Sequence, residues 1–344
     1  MIPSAIVEPL LAWYETAKRD LPWRRTRDPY RIWVSEIMLQ QTRVEAVRGY
    51  YARFMEALPD VQALAAADEQ LCLKLWEGLG YYSRVRNLHR AAQTVCADCG
   101  GRLPDSYAAL LKLPGIGDYT AGAIASIAFG ERVPAVDGNV LRVTARLTED
   151  CRPITDAAVR ADLRSQLAEI VPEGRAGVFN QAMMEIGATV CVPNGAPRCA
   201  ECPLSRLCMG YLSGRAATLP VRAAKKPRRI EPRTVFLLRA GEQTALRRRP
   251  KKGLLAGLWE LPSTEGALTP EQARACLEGW GLRPVRLLPL PPAKHIFTHI
   301  EWHMTGYYAE CGAPTADFVW AAPVQLREEY ALPSAFRPFL EVPL

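Results

Sequence analysis

Residues 113–120 read Leu113-Pro114-Gly115-Ile116-Gly117-Asp118-Tyr119-Thr120, and Val136-Asp137-Gly138-Asn139 follows one apolar run later. Two glycines opening straight into an Ala/Ile-rich segment predict a tight turn that feeds a helix over 120–129. Gly115 and Gly117 let the backbone come close to a ligand, and the free amides of a helix start favour an anion. A phosphate oxygen of a nucleic-acid backbone suits that place. Asp137 then brings a carboxylate to the start of a second helix, 139–147. An anion-holding turn followed by an acid points to chemistry on a nucleotide.

A second acid stands upstream, in Trp33-Val34-Ser35-Glu36-Ile37-Met38-Leu39-Gln40-Gln41-Thr42. At helical spacing Glu36 is flanked by Ile32, Trp33, Leu39 and Gln40, an uncharged setting that raises a carboxyl pKa toward that of a general acid. Asp137, at a helix start, meets amides that favour the carboxylate form. One neutral and one charged carboxyl is the arrangement that cleaves a glycosidic bond. Taken alone, Glu36 also fits an exposed helical glutamate and Asp137 a plain N-cap. Gln40 and Gln41, about one helical turn beyond Glu36, suit hydrogen bonding to a base edge as well as a solvated helix face. Leu79-Gly80-Tyr81-Tyr82-Ser83-Arg84 is a glycine turn with two adjacent aromatics, which fits a wedge for an opened base stack or ordinary core packing.

Cys191, Cys199, Cys202 and Cys208 have the spacing C-x7-C-x2-C-x5-C. Four thiolates so close together are metal ligands, with zinc and an iron–sulfur cubane as competitors. One tight pair with two outlying ligands favours a 4Fe–4S cluster. Cys96 and Cys99 lack a second pair and read as incidental thiols.

The 344 residues suffice for two domains, and a net charge of +7 suits a polyanionic partner as well as an ordinary basic protein. The longest apolar runs fall far short of the ~20 residues that span a bilayer. With no basic-then-apolar leader, a cytoplasmic protein without a membrane partner is expected. Helical periodicity covers 30–39, 43–58, 69–75, 84–96, 120–129, 158–170 and 176–190. Residues 218–233 are proline-rich and basic (Arg222, Lys225, Lys226, Arg228, Arg229, Arg233) and read as a linker. Beyond it, short strands at 234–238, 245–246, 258–261, 286–288 and 302–308 surround a helix near 271–280. The expected organisation is multidomain: an all-α domain over 1–217, the linker, and an α+β domain over 234–344. His295, His299 and His303 lie among β-branched and aromatic residues and read as strand, not as a zinc site.

Taken together and in this order, Ser35–Thr42, Gly78-Leu79-Gly80-Tyr81-Tyr82, the turn at 113–117, Val136-Asp137-Gly138-Asn139 and the four cysteines resemble the MutY-type adenine DNA glycosylases of the helix-hairpin-helix superfamily, relatives of endonuclease III. The resemblance implies that Glu36 protonates a flipped adenine, that Asp137 stabilises the sugar cation, and that Tyr119 and Asn139 position acid, nucleotide and water. It implies DNA contacts from Arg24, Gln40, Gln41, Thr42, Leu79, Tyr81, Gly115 and Gly117. The implied substrate is double-stranded DNA with adenine opposite 8-oxoguanine or guanine, bound by a monomer in the nucleoid. Strand-cutting relatives carry a Schiff-base lysine where Tyr119 stands, so the resemblance implies base removal alone. Residues 253–262 resemble the start of a nudix fold that lacks the acidic run binding magnesium. Phe297, Thr298 and His299 stand where relatives read the lesion, with threonine in place of serine. A pyrimidine-directed glycosylase of the same superfamily, a non-catalytic DNA-binding module and, last, a nudix-type hydrolase are the alternatives.

Overall fold

In the computed structural model the described residues are 1–222 and 227–342. Lys225 and Lys226 of the basic stretch lie outside them. In chain order the helices are α1 (Val7–Ala17), α2 (Pro29–Leu39), α3 (Val44–Ala57), α4 (Val61–Ala66), α5 (Glu69–Leu75), α6 (Ser83–Asp98), α7 (Tyr107–Leu110), α8 (Asp118–Ala128), α9 (Gly138–Leu147), α10 (Ala157–Ile170), α11 (Ala176–Thr189) and α12 (Met209–Leu212). The chain packs as two compact units: Met1–Ala67 with Asn87–Ala224, and Asp68–Arg86 with Lys225–Leu344.

The first unit is helical. Some of its helices start where an aspartate satisfies the free amides: Asp28 accepts from the amides of Tyr30 and Arg31 ahead of α2, with Pro29 as the first helical residue. Asp156 caps α10 in the same way. Helix α11 packs against α1, α8 and α9, and its Phe179, Ala182, Met183 and Ile186 are fully or almost fully buried against Leu10, Val140 and Leu147. Helices α7 and α8 flank the turn at 111–117 and form a helical hairpin. Gly115 adopts φ +76°, and a Cβ there would fall 2.5 Å from the Asn87 Cβ, so only glycine fits.

The second unit is built on a sheet of strands β1 (Arg229–Ala240), β2 (Gln243–Arg248), β3 (Trp259–Glu260), β4 (Ser263–Glu265), β5 (Pro284–Ile296), β6 (Ile300–Cys311) and β7 (Val319–Ala321). The order is β3-β2-β1-β6-β5, with β4 pairing β1 and β7 pairing β2. Strands β1 and β6 run parallel, and the other pairs are antiparallel. Helix α13 (Pro270–Gly279) covers one face through Ala273 and Leu277, and α14 (Pro323–Glu328) and α15 (Arg337–Leu340) complete the domain. Phe336 and Phe339 fill the other face.

Strand β1 begins inside the stretch read as linker. Residues 229–233 pair with β6 from Arg229↔Ile300 to Arg233↔Met304, because a neighbouring strand supplies the partners that this basic, proline-bearing sequence does not advertise. The segment 68–86 groups with the sheet for a similar reason. Lys74 Nζ donates to the Leu326 and Tyr330 carbonyls (3.2 and 3.0 Å), the Leu332 amide donates to Glu77 Oε1 (2.8 Å), and Trp259 Nε1 donates to Gln70 Oε1 (3.0 Å).

Candidate active site

A cavity of about 570 Å³ opens in the helical unit, lined by Arg24, Glu36, Gln40, Gln41, Thr42, Gly117, Tyr119, Asp137 and Asn139. Nine residues singled out in the sequence, from four separate segments, thus meet at one place. Gly115 lies outside that lining, one residue back in the turn.

Glu36 projects from α2 and is 5% exposed. Burial pushes its carboxyl up to about 7; the Tyr119 hydrogen bond opposes the rise and the nearby Asp137 charge adds to it. The Tyr119 phenol, in the first turn of α8, donates to Glu36 Oε2 and also lies 3.3 Å from Met184 Sδ.

Asp137 caps α9. Its Oδ1 accepts from the amides of Asn139 (2.9 Å) and Val140 (2.8 Å), and its Oδ2 accepts from Asn139 Nδ2 at 2.7 Å. The helix-start amides favour the carboxylate form, as expected, but the net shift of Asp137 is upward, which corrects the expectation of an acid simply kept charged. Burial raises its pKa by more than the three hydrogen bonds and Arg142 lower it. Burial lifts both carboxyls, Glu36 to about 7.

The loop that delivers Asp137 is fixed by a buried side chain on α11. Asn180 accepts from the Ala135 amide (3.0 Å) and donates to the Val133 carbonyl (2.9 Å) and Ser126 Oγ (2.8 Å). Asn139 is held from behind: its Oδ1 accepts from Arg142 Nη2 at 2.8 Å, and Arg142 donates further to the Gly187 and Cys191 carbonyls (both 2.7 Å).

Helix α2 ends at Leu39, where the sequence places its end, and Gln40 and Gln41 follow it. Gln41 has φ +58°, which turns the chain, and Gln40 Nε2 donates to Thr120 Oγ1 at 3.2 Å. Gly117 precedes α8 with extended backbone and open space beyond its Cα.

Sequence reasoning missed Glu185, which also lines the cavity. It is fully buried and accepts from Arg24 Nη2 (2.7 Å) and from Arg19 Nε and Nη2 (both 2.8 Å). Burial works against ionisation there, but the two guanidiniums outweigh it and hold the carboxyl at about 2. Arg24 is therefore one of two guanidiniums paired with a buried carboxylate. A lone acid inside the apolar run Ala182-Met183-Met184-Glu185-Ile186 was the available signal.

Cys191, Cys199, Cys202 and Cys208 line a second, smaller cavity together with Arg146, whose Nη1 lies 3.2 Å from Cys191 Sγ. Among the described residues no three His, Cys, Asp or Glu side chains converge tightly enough for a single ion.

The remaining predicted residues lie in the other unit. Phe297, Thr298 and His299 form the tip of the β5–β6 hairpin. Phe297 stacks edge-on against His295 and Trp302, and Thr298 Oγ1 lies 3.2 Å from the Tyr81 hydroxyl. Leu79 is buried and Tyr81 is exposed. Among the described residues no helix is long and apolar enough to cross a membrane.

Comparison with known proteins fits this geometry. A family profile described as "HhH-GPD superfamily base excision DNA repair protein" matches residues 34–169, and a NUDIX domain profile matches 234–342. The chain is 38% identical to the adenine DNA glycosylase of Mus musculus, covering 85% of this chain and 68% of that protein. It is 41% identical to the Arabidopsis thaliana adenine DNA glycosylase over 74% of this chain and 46% of the relative. Among solved structures, a thermostable thymine-DNA glycosylase aligns with a TM-score of 0.55 and 32% identity, over 61% of this chain and 96% of its own. A non-covalent endonuclease III–DNA complex, at 24% identity and a TM-score of 0.53 over 62% of this chain and 99% of its own, shares the fold. The chain belongs to the adenine DNA glycosylases, a helix-hairpin-helix family of enzymes that repair DNA by base excision.

Proposed function

We propose that the protein excises adenine opposite 8-oxoguanine or guanine in duplex DNA, as a monomer, and leaves the strand uncut. Glu36 gives its proton to the departing adenine while the N-glycosidic bond breaks. Asp137 stabilises the oxocarbenium-like sugar, and water adds its hydroxyl to the anomeric carbon and returns a proton to the carboxyl pair. The observation that carries this reading is the burial of Glu36 against Tyr119 in a cavity shared with Asp137. A carboxyl half-protonated near neutrality is matched to protonating a leaving group. Tyr119 and Asn139 position the pair, and a phenol forms no imine with the sugar.

On this reading Arg24, Gln40, Gln41 and Thr42 contact the opened duplex, and Gly115 and Gly117 receive a backbone phosphate at the α8 amides. Gln41 and Tyr81 contact the base stack near the lesion. Phe297, Thr298 and His299 read the base opposite adenine, Thr298 through its hydroxyl. The helical region does the chemistry, the stretch from 218 to the start of β1 links, and the nudix-like region beyond it senses the lesion.

The four cysteines suit a 4Fe–4S cluster, because all four thiols line one cavity. Bound there, the cluster would hold the loop after α11 in place. Single-turnover excision from duplexes with adenine opposite 8-oxoguanine, guanine, thymine or cytosine tests the substrate reading. The two purine partners should be processed fastest; equal rates opposite all four would overturn it.

A further inference from the structure

The turn that carries Tyr81 is unusual in its backbone. Gly78, Gly80 and Tyr81 take φ +99°, +70° and +47°, three left-handed residues within four positions. Two glycines accept that conformation freely, whereas a bulky tyrosine does not and must be held in it.

Arg84 is the side chain that meets the turn from inside. It is 8% exposed, against 47% for Tyr81. Its Nη2 donates to the Leu79 and Gly80 carbonyls, each at 3.1 Å, and its guanidinium lies 5.2 Å from the Trp76 ring centre and 5.7 Å from that of Tyr81. Trp76 Nε1 donates to the same Gly80 carbonyl at 3.2 Å. The exposed phenol therefore stands on a buried cation at its base and meets Thr298 at its tip.

We propose that Arg84 is the positioning residue of the Tyr81 wedge: it fastens the left-handed turn through the Leu79 and Gly80 carbonyls and supports the Tyr81 ring, so that the ring is presented to the base stack before DNA arrives. The inference rests on the reading of Tyr81 as a wedge. Arginine is required because one planar group both bonds two carbonyls and stacks on two rings. An ammonium keeps the charge but cannot stack in that way. A wedge formed in advance spends no binding free energy on ordering the loop.

The test uses the full chain and mispaired duplexes with 2-aminopurine beside the mispair, whose fluorescence reports unstacking. Arg84→Lys is compared with Tyr81→Ser and with the double variant. Both single variants should lose the fluorescence rise, and Arg84→Lys should lose about tenfold of the preference for mispaired over matched duplex, the size of one charge-assisted hydrogen bond. The double variant should be no worse than Tyr81→Ser. A duplex already opened by an abasic residue at that step should restore excision by Arg84→Lys, which a general loss of folding would not permit. Parent-like unstacking by Arg84→Lys, or strictly additive losses in the double variant, would overturn the role of Arg84 and leave the wedge standing. Parent-like unstacking by Tyr81→Ser would overturn the wedge itself.

Discussion

Gly187 of α11 lies directly against Asn139: a Cβ on Gly187 would fall 2.6 Å from the Asn139 Cβ. The absence of a side chain at that position lets α11 approach the start of α9, and the Gly187 carbonyl anchors Arg142 in the same contact. Asn139 in turn bonds Asp137 through both its backbone and its side-chain amide. Gly187→Ala should displace Asn139, loosen the hold on Asp137 and cut single-turnover excision about 10²-fold, the cost of misplacing a catalytic group by roughly an ångström. Mispair binding should change far less, which gel-shift titration checks.

Tyr119→Phe removes the hydrogen bond that lowers the Glu36 pKa against burial. The Glu36 pKa should then climb above its value of about 7. On the proposed mechanism the protonated acid is the active form, so the alkaline limb of the single-turnover pH profile should move to higher pH, even as poorer positioning lowers the plateau. A limb that moves to lower pH would contradict this arrangement.

Glu36 also costs the fold stability. Its folded pKa of about 7 lies above the ordinary 4.5, so its contribution is complete below pH 4.5 and is lost as pH rises through 7. Above that window the penalty is about 3 kcal/mol. Glu36→Gln, which still accepts from Tyr119, should therefore raise the Tm at pH 8 and leave it nearly unchanged at pH 4.5.

Much of this site was legible because its determinants are local. Asp137 announces itself as an N-cap two residues before Asn139, and Glu36 is surrounded by apolar residues within one turn of its own helix. The hairpin turn is written in Gly115 and Gly117. Less legible were features that depend on distant partners. Glu185 meets Arg24 and Arg19 across 161 and 166 residues, which no local pattern records. The net direction of the Asp137 shift required knowing its burial, which outweighs the visible helix start. The first residues of β1 took their conformation from β6, and the short β4 and β7 from β1 and β2. Gln41 takes a positive φ that its side chain does not foretell.

Glu185 has the opposite sign from Glu36. Held at about 2 by Arg19 and Arg24, it contributes stability that is full above pH 4.5 and is lost as pH falls toward 2. Glu185→Gln leaves two guanidiniums facing a neutral amide and should destabilise the protein by about 3 kcal/mol, with a shallower loss of Tm on acidification. Urea titration at pH 7 measures the first, and thermal melts at pH 7 and pH 3 measure the second.

The central claim is that Glu36 supplies the proton for adenine release and that no amine attacks the sugar. The most direct measurement is single-turnover release of adenine from a duplex bearing adenine opposite 8-oxoguanine, with strand integrity and borohydride trapping followed in the same reaction. The parent should release adenine, leave the strand intact until alkali is added and yield no trapped adduct. Glu36→Gln should bind the duplex and release about 10³-fold less adenine. Parent-like release by Glu36→Gln, or a trapped protein–DNA adduct with strand scission, would contradict the account.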